Sequence, residues 1–158
     1  MIALYIIYLY NISSKKRISA TEAQELRVKK EKIIMQYAKF KNLYSQFVNS
    51  KNTIINNVVY AIMIYEDFKV PQIYRKIKSY ISIFASKETK QGIMQINSKN
   101  KISDEESIQL VISTFEKDLK NKKLKEYEKI DILLSNYSPE EKEKILLIYK
   151  VIIEFIKK

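Results

Sequence analysis

The chain carries a single glycine, Gly92, among 158 residues, with two prolines and no cysteine, histidine or tryptophan. Each shortage closes off some chemistry. Without cysteine there can be no disulfide and no thiolate metal site. Without histidine the Ser-His-Asp and Cys-His nucleophile systems are excluded, and so is the commonest zinc ligand. The acid–base groups of an enzyme would then be carboxyls first, with Tyr or Lys as lesser candidates. Average usage of about 7% would put roughly 11 glycines in a chain of this length. A sequence that avoids glycine elsewhere and keeps it in Gly92-Ile93-Met94-Gln95-Ile96 needs a positive φ or a close backbone approach there.

What is present suits one domain with a real core: 46% of residues are hydrophobic, and Ile, Lys, Asn and Tyr are abundant. Lys and Arg number 29 against 18 Asp and Glu, a net charge of +11. Such a surface attracts polyanions: nucleic acid, anionic lipid or anionic wall polymer. The densest basic run, Lys117 to Lys129, interleaves its lysines with Glu116, Asp118, Glu126 and Glu128, which reads as a solvated helix face. No nucleic-acid motif accompanies it, so nucleic acid is not an expected partner.

Residues 1–12 read MIALYIIYLYNI and are followed by Lys15, Lys16 and Arg17. The run is shorter than the ~20 residues that span a bilayer and lacks the basic leader of a signal peptide. Residues 1–20 are therefore read as a membrane or export remnant, or as an N-terminal extension packed on the domain of residues 21–158. A membrane partner would be reached through this run.

The remainder reads as helix. In 21–48, Leu26, Ile33, Tyr37, Phe40, Tyr44 and Phe47 recur at spacings of three, four and seven, giving one apolar face. Residues 53–67 are apolar almost all round, as a central buried helix would be. Pro71 breaks the chain, and 72–85 resume helical spacing with Ile73, Ile77, Tyr80, Ile81 and Phe84. Residues 86–102 are a long polar stretch rich in turn formers, and Gly92 lies inside it. Ser103 with Glu106 spells a capping box, and Ile108, Val111, Ile112, Phe115 and Leu119 form an apolar face behind it. Leu124 to Leu134 is a further helix or a continuation. Ser138-Pro139-Glu140-Glu141 starts the last helix, with Ile145, Leu147, Ile148, Val151, Ile152 and Phe155 as its apolar positions.

Glu66 ends the most apolar helix. Partial desolvation of a carboxyl at such a place raises its pKa, which suits a general acid at neutral pH. An apolar helix ending in Glu66, the downstream Gly92-Ile93-Met94-Gln95 loop and a capped helix after it resemble the lysozyme-like superfamily: the soluble lytic transglycosylases and goose-type lysozymes of glycoside hydrolase family 23. The resemblance covers roughly residues 53–150. It implies a compact, mainly α, lysozyme-like fold with a central buried helix, with Glu66 as catalytic acid. It implies that Gly92, Met94 and Gln95 lie along the sugar cleft, and that Tyr137 takes the place of the tyrosine that approaches the acid. The sequence departs from the family pattern at Asp67, where Ser is usual after the Glu, and at Ser138, where Asn would follow Tyr137. The Glu66 to Gly92 interval is closer to the goose-type arrangement and holds the extra segment 72–85.

An inverting hydrolase needs a second carboxylate as base, about 6.5–9.5 Å from the acid. Glu88 and Asp104 are only positional candidates for it. With one acid, the resemblance implies the transglycosylase route on peptidoglycan glycan strands, with no metal or organic cofactor, in an extracytoplasmic, envelope or secreted setting. Two other readings stay open. One is a lysozyme-like shell that binds glycan or protein without catalysis. The other is a basic helical interaction module tethered to a membrane.

Overall fold

Helix α2 (Thr53–Lys69) is the axis of the molecule, and its composition shows why. Every residue from Val58 to Glu66 is buried, so no face of this stretch is left for water. Burying each Ile or Val side chain contributes about 1.5–3 kcal/mol against the entropy of ordering it. The computed structural model describes residues 24–75, 77, 88–120 and 123–157. The apolar run 1–12, the basic residues 15–17 and residues 78–85, with Tyr80, Ile81 and Phe84, lie outside the described residues.

Around α2 pack helix α1 (24–44), helix α4 (Asp104–Leu119), helix α5 (Glu126–Leu133) and helix α6 (Pro139–Ile156), while α3, described over 72–75, follows Pro71. The protein is mainly α, as its apolar periodicity predicts. Helix α1 turns Ile33, Tyr37, Phe40 and Tyr44 to the core, and the Tyr37 ring meets Tyr60 of α2 edge-on at 5.2 Å. Leu26, placed on the same stripe by its spacing, is 48% exposed, so the packed part of α1 begins at Ile33. Ile73 and Ile77 are likewise exposed rather than core. On α6, Ile145, Ile148, Val151 and Ile152 are buried, whereas Leu147 and Phe155 flank the apolar face and stay partly in water.

Helix starts fall where cap chemistry puts them. Ser103 accepts from the Glu106 N–H at 3.1 Å and donates its own N–H to the Glu106 carboxylate at 2.8 Å. Ser138 and Glu141 repeat the pattern at α6, with Pro139 as the first helical residue. Asn52, which the sequence reading passed over, caps α2 by accepting from Ile54 N–H at 3.0 Å. The 124–134 segment is a separate helix, not a continuation of α4.

Within the polar stretch 86–102 the chain forms an antiparallel hairpin: β1 (Thr89–Gln91) pairs with β2 (Ile96–Ser98) in the register Thr89↔Ser98, Lys90↔Asn97, Gln91↔Ile96. The sequence reading assigned turns there but no strands. Three residues per strand are too few for a period-two pattern to emerge.

Candidate active site

Glu66 sits in the last turn of α2 with only 3% of its surface exposed. Burial is the largest influence on its carboxyl and raises the pKa; the charges of Lys69 and Lys90 pull it back, Glu141 pushes it up again, and Arg75 lowers it. Its position adds to the upward shift, since a helix C-terminus carries partial negative charge. The neighbouring Asp67 is turned away from the acid. It forms an ion pair with Arg75 at 2.8 Å and accepts a hydrogen bond from Gln36, which leaves it no part beside Glu66.

The hairpin turn brings the second motif to the acid. Gly92 has φ +66° and Gln95 φ +52°, two left-handed residues in one four-residue turn. Gln95 accommodates its conformation by folding back: both its backbone N–H and its side-chain Nε2 donate to the Gly92 carbonyl, at 3.2 and 2.8 Å. The turn is fastened to α4 by Ser107, a fully buried residue whose Oγ donates to the Asp104 carbonyl at 2.7 Å and accepts from Met94 N–H at 3.3 Å. Ser107 was not singled out in the sequence. A small polar residue one turn into a capped helix gives no signal of its own until the turn is seen resting on it.

Tyr137 closes the site from the loop before α6. Its hydroxyl pKa is raised, first by burial, then by the charges of Glu66, Glu141 and Tyr65 and by hydrogen bonding to Glu66. Its ring meets Tyr65 edge-on at 6.3 Å. Tyr65 in turn donates to Glu141 Oε1 at 3.1 Å, and Lys69 Nζ reaches the same oxygen at 2.6 Å. These bonds, with the α6 cap, hold the Glu141 carboxyl down to about 2. The last turn of α2 is thereby stapled to the first turn of α6, with Tyr137 between them.

These pieces line one cleft of about 350 Å³, whose walls include Ile62, Glu66, Met94, Gln95, Asn136 and Tyr137. The volume lies within the range of small-molecule sites. Four of the five residues singled out in the sequence therefore meet on a single surface. The fifth, Gly92, lies behind the turn against Ser107 and Ser103 and shapes the wall without forming it. Among the described lining residues Glu66 is the sole carboxylate; neither Glu88 nor Asp104 is one of them. Asp104 instead accepts a hydrogen bond from the Tyr44 hydroxyl at 3.0 Å. Two polar residues of the wall, Lys90 and Asn97, were missed because their place depends on the hairpin, while Asn136 enters the wall from the turn before α6, beside Tyr137. Such an arrangement can present a carboxyl of raised pKa, with a phenol and amides, to a polar ligand entering from solvent.

Compared with protein-family models, curated proteins and solved structures, the chain matches none. Among the described residues no helix is long and apolar enough to cross a membrane.

Proposed function

We propose that this chain is a lysozyme-like domain that cleaves peptidoglycan at the bond between N-acetylmuramic acid and N-acetylglucosamine, by the lytic transglycosylase route, at or outside a membrane. The observation that carries the reading is the convergence of Glu66, the Met94-Gln95 turn and Tyr137, three separate segments of the chain, on one cleft with a buried acid.

In this reading Glu66 donates its proton to the glycosidic oxygen as the bond from that oxygen to the muramic C1 breaks, and the leaving sugar departs as an alcohol. The anomeric centre is left with oxocarbenium character. The Glu66 carboxylate then takes the proton of the sugar's own C6 hydroxyl, whose oxygen bonds to C1 and closes a 1,6-anhydro ring. Glu66 ends protonated, ready for another turnover. Tyr137 is placed to hold Glu66 in register and to hydrogen-bond the reacting sugar. The sole carboxylate in the described wall favours this intramolecular attack over inverting hydrolysis, which needs a second carboxylate to activate water. The net charge of +11 favours residence on anionic wall polymer.

The test is incubation of purified peptidoglycan with the wild-type chain and with Glu66→Gln, followed by mass spectrometry of the soluble muropeptides. Anhydro-muropeptides from the wild type alone are expected. Hydrated reducing ends would replace the transglycosylase with a lysozyme. No release from a folded wild-type protein would overturn the catalytic reading.

A further inference from the structure

The cleft holds a cation that nothing in the catalytic reading uses. Lys90 lies on β1, directly across the ladder from Asn97 on β2, and both side chains line the wall that Glu66 occupies. Residues opposite each other in an antiparallel pair have their Cβ atoms about 4.5–5.5 Å apart. Lys90 and Asn97 therefore project from the same face of the hairpin into the cleft that Glu66 lines, with Asn136 also in the wall. Among the described residues the Lys90 side chain makes no hydrogen bond or ion pair, its charge acting on Glu66 only at a distance, whereas Lys69, Lys142 and Lys144 on the outer surface are paired with acids. Among the described residues the one carboxyl lining the cleft is Glu66, whose pKa burial raises.

The geometry points to a carboxylate-binding subsite made by Lys90 and Asn97, so that the glycan taken by this cleft is one bearing a carboxylate beside the bond presented to Glu66. An ammonium supplies the charge and the amide a directed N–H, the combination a carboxylate's two oxygens accept best. The inference rests on the glycan-cleaving reading and narrows its substrate. In peptidoglycan that carboxylate has two sources. It is the free lactyl acid of a muramic residue stripped of its peptide, or a carboxylate of the peptide stem where the lactyl group is amidated.

The experiment measures binding by calorimetry to the Glu66→Gln protein, which retains the cleft but not the acid. Four tetrasaccharide probes are used: neutral N-acetylglucosamine oligomer, the alternating muramic oligomer with free lactyl acids, the same oligomer with lactyl methylamides, and the same oligomer with peptide stems. The free-acid or the stem-bearing probe is expected to bind about tenfold tighter than the methylamide, since a hydrogen bond to a charged group contributes about 1.5 kcal/mol or more. Whichever of the two shows the preference identifies the source. Lys90→Met should abolish the preference of the charged over the methylamide probe, and Lys90→Arg should keep it. Equal affinity for all four probes, or a preference that survives Lys90→Met, overturns the subsite and leaves the glycan reading standing. Failure of every probe to bind overturns both.

Discussion

Gly92 and Ser107 touch so closely that a Cβ on Gly92 would lie 2.5 Å from both the Cβ and the Oγ of Ser107. The glycine thus answers two demands at once, a positive φ and a neighbour that leaves no room for a methyl group. Gly92→Ala should destabilise the protein by about 2–4 kcal/mol, combining left-handed strain with overpacking. Urea denaturation reads the loss. Ser107→Ala keeps the shape but strands the Met94 N–H, and should cost about 1–3 kcal/mol. A neutral outcome for Gly92→Ala would mean that the turn is not held against α4.

Glu66 lends itself to a test in which activity and stability move oppositely. Its folded pKa is raised by burial, so the folded state binds the proton more tightly than the unfolded state, where Glu titrates near 4.3. Stability from this group is fully present below the unfolded value and is lost as pH rises through the folded one. Glu66→Gln should therefore raise the melting temperature at pH 7 and leave it unchanged near pH 4. The same substitution should lower muropeptide release by on the order of 1,000-fold. Equal melting shifts at both pH values would show that ionisation of Glu66 is not what the core resists.

Tyr137 separates ring from hydroxyl. Tyr137→Phe keeps the edge-on contact with Tyr65 and removes only the group that faces Glu66. Turnover should fall on the order of 100-fold while stability changes by less than about 1 kcal/mol. Tyr137→Ala should lose both. If Tyr137→Phe matched the wild type in rate, the hydroxyl would have no part in the chemistry.

Glu141 governs the acid limb of stability. Its carboxyl is held at about 2, first by the hydrogen bond from Lys69 and then by the backbone of Ser138. A depressed carboxyl contributes stability above its unfolded pKa, and that contribution disappears as pH falls through the folded one. The wild type should weaken between about pH 4.5 and pH 2, and Glu141→Gln should flatten that slope. The magnitude is modest because Lys69 is 44% exposed and Glu141 26%, and water screens the pair. Thermal melts across this window, run for both proteins, make the comparison.

The helices were legible because their signals are local and redundant. Ser103 with Glu106 and Ser138 with Glu141 announce their starts in four letters, and the all-round apolar content of 53–67 leaves only a central position for α2. Glu66 was legible for the same reason, as a carboxyl where the apolar pattern ends. Lys90, Asn97 and Ser107 were not, since each owes its role to a partner across a hairpin or on another helix. The exposed Leu26 and Ile73 show the converse limit: periodicity marks a face, and says nothing of how far along the helix a neighbour extends.

The bond from Tyr65 to Glu141 spans 76 residues of chain. During synthesis α2 leaves the ribosome long before α6 exists, so the groups that enclose Glu66 arrive last. Until α6 docks, the carboxyl lacks the neighbouring charge of Glu141, which pushes its pKa up. A chain clipped before α6 would therefore lack Glu141 beside Glu66 whatever its remaining helices had formed. The order of the elements makes the docking of α6 the step that finishes the enclosure of Glu66.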